Sequence, residues 1–433
     1  MTASEVAAAT GGRIVGPDRA FDGASIDTRE IRAGQLFVPI VAERDGHAFI
    51  PDAVAQGATV CLTSGALPPE GVTAVVVPDT LVALGEIGRR ARDRLPDRVV
   101  GITGSVGKTS VKDLTYAALS THWRAVASVR SFNNELGLPL TLANAPEDAE
   151  VIVLEMGMRG FGQIAALCDL ARPTAGVVTA VADAHTEFTG GIEGVARAKA
   201  ELIEALPAGG LAVLNADDVR VAAMAPSSAA RVITFGARNG DVRAVDVCVD
   251  DLGRPSFRLC SPWGDTAVRL VVSGRHNAVN AAAAAAVALG LETPLDAVVE
   301  GLASARLSPW RMDVRRGPSG AIVVNDAYNA NPASMRAALD VLAALPASGR
   351  RIAVLGVMAE LREPVTEHEA IAALVRAGGI ELIPVATDLY GTPAVPDIGA
   401  VEAVLGCLQA GDVVLVKGSR VAGLERLAAR LLE

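Results

Sequence analysis

Between Val99 and Ser110 the chain reads VVGITGSVGKTS. An apolar run passes through glycines into Gly107-Lys108-Thr109-Ser110, the pattern of a strand, a tight turn and a helix start. Glycine lets backbone N–H groups turn inward onto phosphate oxygens. The helix N-terminus adds about half a positive charge. In this pattern Gly104, Ser105, Gly107 and Ser110 line the phosphates of a nucleotide such as ATP, Lys108 reaches the terminal phosphates, and Thr109 offers its hydroxyl to Mg²⁺. Ile102 stands where the longer G-x-x-x-x-G-K-T form has its first glycine, so the loop is the shorter T-G-S-x-G-K-T-S. The bland alternative is a strand, turn and helix with a surface lysine. The loop specifies nucleotide use and leaves the reaction open, because ATPases, kinases and ligases share it.

Three further residues stand at or just after the ends of apolar runs, where doubly wound sheets place ligands. Glu155 ends VIVLE and is either a ligand for Mg²⁺, a hard cation that prefers oxygen, or a solvated strand-end acid. His185 follows AGVVTAV in Asp183-Ala184-His185 and is a metal ligand, a hydrogen-bond partner or a structural loop histidine. Lys199 lies on the amphipathic stretch Ile192–Leu206, where a lysine is ordinarily solvated. The ordered spacing after the phosphate loop raises the functional reading of all three.

The elements that must hold these groups are visible in the hydrophobic pattern. From about Ser25 to Val77 short apolar runs alternate with turns, the sign of a small α/β domain; a helix over Thr80–Leu95 ends at the Pro96-Asp97 step. Strands are predicted at 99–103, 150–157, 175–181, 210–217 and 231–236, separated by helical segments, which implies a mostly parallel sheet covered on both faces. An irregular stretch over 240–273 reads as strands of an inserted sheet. Strands at 321–326, 351–356, 381–387 and 412–418 form a second, smaller Rossmann-like unit. The expected domains are 1–96, 97–306 and 307–433, in keeping with a prior of roughly three domains for 433 residues.

Composition narrows the class. Hydrophobic residues make up 51% and charged residues 20%, so large cores are available and disorder is excluded. The net charge of −10 argues against nucleic acid as a partner, since that needs clustered cations. Five scattered cysteines with no C-x-x-C pair argue against a disulfide framework or zinc and for a reducing, cytoplasmic setting. The start MTASEVAAATGG lacks the features of a secretory signal. Ala278–Leu289 is too short to span a bilayer and reads as a close-packed helix, so no integral membrane association is expected.

GITGSVGKTSVKD, SFNNELGLPLTL, VLEMGMRG, AHTEF, ARAKAE, GRHNAVNA, NDAYNANPASM and VLVKGSR, in this order along the chain, together resemble the Mur ligases. Within that family the segment Asn325–Pro332 is similar to the type that joins D-alanyl-D-alanine to UDP-N-acetylmuramoyl-tripeptide. The resemblance implies a three-domain architecture: a small N-terminal α/β domain for the UDP-linked substrate, a central P-loop ATPase-like domain with a parallel sheet, and a C-terminal Rossmann-like domain. It also implies an ATP-dependent ligase of peptidoglycan precursor synthesis, acting through an acyl-phosphate with two Mg²⁺ ions. Glu155 and His185 would then help hold Mg²⁺, and Lys199 would be carbamoylated, turning an amine into a carboxylate-like metal ligand. Asn133 and Asn134 would line the site near substrate and γ-phosphate. His276, Asn277 and Asn280 would approach the nucleotide, with Asn277 nearest the adenine. Arg311 and Asp326 would close onto ATP, and Tyr328, Asn329 and Asn331 would border the pocket of the incoming D-amino-acid dipeptide. Lys417, Ser419 and Arg420 would complete that domain's contacts. Ser25, Asp27, Thr28 and Arg29 match the uridine-nucleotide segment, with Asp45-Gly46-His47 behind it. A monomer is expected.

The chain departs from the family pattern in its substrate-facing parts. LFVPIVAERDGHAFI is one residue short and has Ala42 for a glycine; Val357 stands for an aspartate, Arg362 for a glycine, and Trp310 for a small residue. A paralogue joining another carboxylate and amine, and a non-catalytic nucleotide-binding partner, are the alternative readings.

Overall fold

The computed structural model describes residues 1–433 apart from 66, 68, 130 and 183–188. The fold is α/β, and the chain packs as two compact units. The first comprises Met1–Gly101, Trp123–Gly157 and Ala165–Thr174; the second comprises Ile102–His122, Met158–Ile164 and Ala175–Glu433.

In the first unit a five-stranded sheet runs in the order Arg13–Val15, Thr73–Val76, Val60–Thr63, Leu36–Phe37, Ala24–Ser25. Only the Arg13–Val15 edge is antiparallel. The expected helix is observed as Thr80–Arg92, with Asp79 capping the Leu81 and Val82 amides at 2.8 and 3.1 Å. It packs on Ala3–Thr10, which a Thr2–Glu5 capping box opens and Gly11 closes, and on the short helix Gly137–Ala143. At Gly88 the helix lies so close to Pro139 that an added Cβ would sit 2.7 Å from its Cα. A further pair of parallel strands, Ala125–Ala127 and Val151–Glu155, ends in the acid singled out above.

In the second unit Ala175–Val178, Leu211–Asn215, Arg231–Gly236 and Val242–Val249 pair in parallel. Pro255–Cys260 and Thr266–Arg269 extend that sheet antiparallel, which accounts for the irregular stretch. Helix Asn277–Gly290 holds the run of six alanines, all fully buried, and packs against helix Lys108–Ser120. A second sheet is ordered Asp313–Arg316, Ile322–Asn325, Val413–Lys417, Arg351–Leu355, Glu381–Pro384. Its Asp313–Arg316 edge is antiparallel and was not expected from the sequence; reading Asp-Val-Arg-Arg, it gives no apolar run to find. Among the described residues no helix is long and apolar enough to cross a membrane.

Candidate active site

The glycine loop is built as a strand, turn and helix. Strand Val99–Thr103 is wholly buried, and helix Lys108–Ser120 starts after Gly107, whose φ is +82°. An added Cβ on Gly107 would stand 3.1 Å from Asn280 Oδ1, and one on Gly104 would fall on the Thr179 hydroxyl, so the side chains of Asn280 and Thr179 fill the space that a larger residue would need. Thr179 Oγ1 donates to Val106 O at 2.5 Å, the Ser105 amide donates to Ala180 O at 2.8 Å, and Ser105 Oγ donates to Ala182 O at 3.0 Å. Lys108 is not a free surface lysine: its Nζ donates to Gly104 O at 2.6 Å across the loop. Ser110 follows in the first helical turn.

Lys199 corrects the expectation of a solvated side chain. It is 2% exposed on helix Ile192–Glu204. Burial, and then the positive charge of Lys108, hold its amine well below the usual lysine pKa. Burial of this kind disfavours the charged ammonium and favours the free amine.

Asn277 is also buried, its Nδ2 donating to Ser273 O at 2.7 Å and its Oδ1 accepting from Asn280 Nδ2 at 2.8 Å. The amide is thus turned into the helix start, and through Asn280 it backs the turn at Gly107. Desolvation lowers the pKa of the neighbouring His276, with Asp326 opposing it.

In the same unit Arg311 reaches the loop helix, its Nη2 donating to Thr109 Oγ1 at 3.0 Å, while its guanidinium lies 4.0 Å from the ring centre of Tyr328. Asp326 accepts from the Met312 amide at 3.0 Å and pairs with Lys417 Nζ at 2.6 Å. Lys417, buried, also donates to Asn329 O at 2.8 Å. Burial lowers the Lys417 pKa, and the Asp326 carboxylate works against that shift. Asn331 acts as a helix cap: its Oδ1 takes the Ser334 amide at 2.8 Å and Ser334 Oγ answers at 3.0 Å. Ser419 Oγ accepts from the Ala359 amide at 2.9 Å, and Arg420 stacks 4.5 Å over the Trp310 ring.

In the first unit Glu155 is no solvated acid. It is 1% exposed, its Oε1 accepts from Asn133 Nδ2 at 2.7 Å, and its amide donates to Ser128 Oγ at 3.2 Å. Asn134 Oδ1 receives the Leu136 and Gly137 amides at 3.3 and 3.1 Å. Ser25, Asp27 and Arg29 form a local cluster, with Thr28 in the turn between. Ser25 Oγ donates to Asp27 O at 2.9 Å, and Arg29 donates to both Asp27 oxygens at 2.9 and 2.6 Å. The Ser64 amide donates to His47 Nε2 at 3.0 Å, so Nδ1 carries the ring proton and gives it to Asp45 Oδ1 at 2.6 Å. These bonds hold the Asp45 carboxyl below the usual range. Gly46 between them admits no Cβ, which would lie 2.6 Å from Ile40 N and O. His185 lies outside the described residues.

Sequence reasoning missed several supports. Lys112, 2% exposed, pairs with Asp113 at 2.9 Å, and Asp113 takes the Ser308 amide at 2.6 Å. His368 Nε2 accepts the Met358 amide at 2.9 Å, and Tyr390 donates to Gly356 O at 2.8 Å. Residue type and spacing do not mark these roles; the Asp113–Ser308 bond joins residues 195 apart, and the others depend on how the loops fold back.

The second unit offers a glycine loop whose backbone can hold a nucleotide, and a buried lysine; the first offers a buried carboxylate. Known proteins resemble this chain along its length. Residues 102–288 match the Mur ligase middle domain, and residues 310–420 match the Mur ligase, glutamate ligase domain. The UDP-N-acetylmuramoyl-tripeptide–D-alanyl-D-alanine ligase of Mycobacterium tuberculosis is 39% identical over 100% of the chain and 98% of the relative. The Escherichia coli ligase of the same name is 35% identical over the same shares, 100% and 98%. A crystal structure of MurF from Acinetobacter baumannii superposes with a TM-score of 0.86 at 27% identity, covering 100% of this chain and 98% of that one. MurF from Thermotoga maritima in complex with ADP gives 0.81 at 26% identity, covering 95% and 97%.

Proposed function

The chain belongs to the Mur ligase family, and from that premise we propose that it joins D-alanyl-D-alanine to UDP-N-acetylmuramoyl-tripeptide at the expense of ATP. It is an ATP-dependent, amide-forming ligase of peptidoglycan precursor synthesis. The observation that carries the chemistry is the glycine loop closed by Lys108 on Gly104 O at 2.6 Å, with Thr109 at the helix start. The domain boundaries we assign are 1–96, 97–306 and 307–433.

A free carboxylate is a poor acyl donor. Its oxygen attacks the γ-phosphorus, the bond to the β-phosphate oxygen breaks, and ADP leaves. The amine of the dipeptide then attacks the acyl carbon of the acyl-phosphate, a proton is lost from nitrogen, and phosphate departs as the amide forms. Positioning and charge stabilisation supply most of the rate. The loop amides and Lys108 hold the transferred group, and Arg311 approaches from the linker. Tyr328, Asn329, Lys417 and Arg420 border the dipeptide, while Ser25, Asp27, Thr28 and Arg29 take the uridine nucleotide.

Glu155 offers a buried carboxylate oriented by Asn133, an oxygen donor of the kind a hard divalent cation takes. In the other unit Thr109 offers a buried hydroxyl of the same class. Mg²⁺ held by such oxygens would screen the negative charges that otherwise repel. The lowered pKa of the Lys199 amine favours carbamoylation, in which the free amine nitrogen bonds to the carbon of CO₂ and releases a proton, leaving an anionic carbamate. A cytoplasmic monomer is the expected form.

The deciding experiment incubates the purified chain with ATP, Mg²⁺, UDP-N-acetylmuramoyl-tripeptide and D-alanyl-D-alanine. A product weighing the sum of the two substrates less one water, formed with equimolar phosphate, is expected by mass spectrometry. Phosphate release without that product would overturn the assignment.

A further inference from the structure

The linker Ser308–Met312 runs along the nucleotide helix and is anchored at two points. Thr109 and Asp113 stand four residues apart on helix Lys108–Ser120 and so share a face. Ser308 gives Asp113 its amide at 2.6 Å and its hydroxyl at 3.1 Å, while Arg311 Nη2 binds Thr109 Oγ1 at 3.0 Å. Between the anchors sits Trp310 with φ +62°, and Met312 follows with φ +46°. Left-handed backbone disfavours L side chains, and an indole at such a position persists only where its surroundings hold it.

The Trp310 ring has a specific load. The Arg420 guanidinium lies 4.5 Å from its centre, and Glu425 accepts from the same guanidinium at 2.7 Å. Arg420 remains half exposed, 53%, so a cation held on two sides still faces solvent. One residue along, Arg311 is directed the other way, onto Tyr328 and Thr109. Two arginines are thus held at this linker, Arg420 on the Trp310 ring and Arg311 on Tyr328 and Thr109.

We propose that Trp310 is a positioning residue of the amine site, holding Arg420 ready for the carboxylate that the incoming dipeptide retains. This rests on the ligase reading above. The dipeptide reacts through its amine, so its carboxylate stays charged and needs a cation. Arginine meets a carboxylate with a planar fork, and fixing that fork before binding lowers the ordering cost of association. Trp310 touches no reacting atom and acts only through Arg420.

Trp310→Gly separates the ring from the turn, because glycine adopts φ +62° freely and keeps the aim of Arg311. Its KM for D-alanyl-D-alanine is expected to rise about three- to tenfold, from the loss of one cation–π contact, with kcat and the KM for ATP within about twofold. Trp310→Phe, which keeps an aromatic face, restores most of the loss. In an Arg420→Ala background Trp310→Gly adds nothing further. An unchanged dipeptide KM in Trp310→Gly, failure of the Phe variant to restore it, or additive effects in the double variant would overturn the proposal. Absence of coupling by the wild-type chain would instead remove the ligase reading.

Discussion

The glycine loop and the Ser25–Arg29 segment solve the same problem, holding a phosphate-bearing ligand, by opposite means. At the loop the supports come from far along the chain. Thr179 reaches Val106 across 73 residues, Ser105 reaches Ala182 across 77, and Arg311 reaches Thr109 across 202. At Ser25–Arg29 the side-chain bonds of Ser25 and Arg29 described above join residues two apart, and the Arg29 side chain is 86% exposed. The loop is shaped by the tertiary fold, so its geometry exists before ligand arrives. The surface segment merely satisfies its own charges, and a ligand there competes with bonds of low worth. Damage to the loop region should therefore abolish turnover, whereas damage to the segment should only weaken binding.

The sharpest test of that contrast is Lys199→Ala, in the buried half. Turnover is expected to fall about 100-fold or more, with partial rescue by added acetate or formate; wild-type phosphate release in this variant would remove Lys199 from the metal site. Next in size is Gly104→Ala, which drives a methyl onto Thr179. Displacing a reactive loop by about an ångström costs roughly 100-fold, so the KM for ATP should rise by that order while affinity for the UDP-linked substrate holds. Equal loss of both affinities would mean that the two regions are not independent.

Arg29→Ala probes the surface half. The KM for the UDP-linked substrate should rise about three- to tenfold, the scale of one charge-assisted contact, with Tm unmoved because the side chain is exposed. A marked drop in Tm would show that the segment carries structural weight after all. The smallest effect concerns pH. Burial lowers the pKa of His368, which as the neutral ring accepts the Met358 amide. The unfolded chain then binds a proton more readily than the folded one, so stability is full above about pH 6.5 and declines below it. His368→Gln should lower stability by about 1 kcal/mol at neutral pH and flatten the decline in Tm between pH 7 and 5.5. An unchanged slope would show that other groups set it.

How much of this was readable beforehand follows the same division. The strand before the loop, its glycines and the helix after it are contiguous, and periodicity located them to within a few residues. Lys199 looked solvated because its helix is amphipathic; only the packed structure shows it on the inner side. Glu155 stayed ambiguous for the same reason, since Asn133 and Ser128 lie more than a turn of helix away in sequence and meet it through strand pairing. Asn331 is placed beside the amine by family resemblance alone; the structure adds a capping role, in which its Oδ1 accepts the Ser334 amide and its own backbone amide donates to Ser334 Oγ. The left-handed turns at Trp310 and Met312, and the His368 and Tyr390 supports of Gly356–Met358, leave no mark on residue type or spacing.

The alanine-sheathed helix Asn277–Gly290 bears on how a signal could leave the nucleotide. Methyl groups have no rotamers, so an interface made of them has no slack with which to absorb a small push. Helix Lys108–Ser120 rests against it on one side, and against Leu295–Ser304 on another, where Gly301 leaves no room for a Cβ over Ala117 O. Packing this stiff would pass a shift at the phosphate end of helix Lys108–Ser120 on to Asp113 and the Ser308 anchor it holds, so the property these small side chains supply is mechanical stiffness.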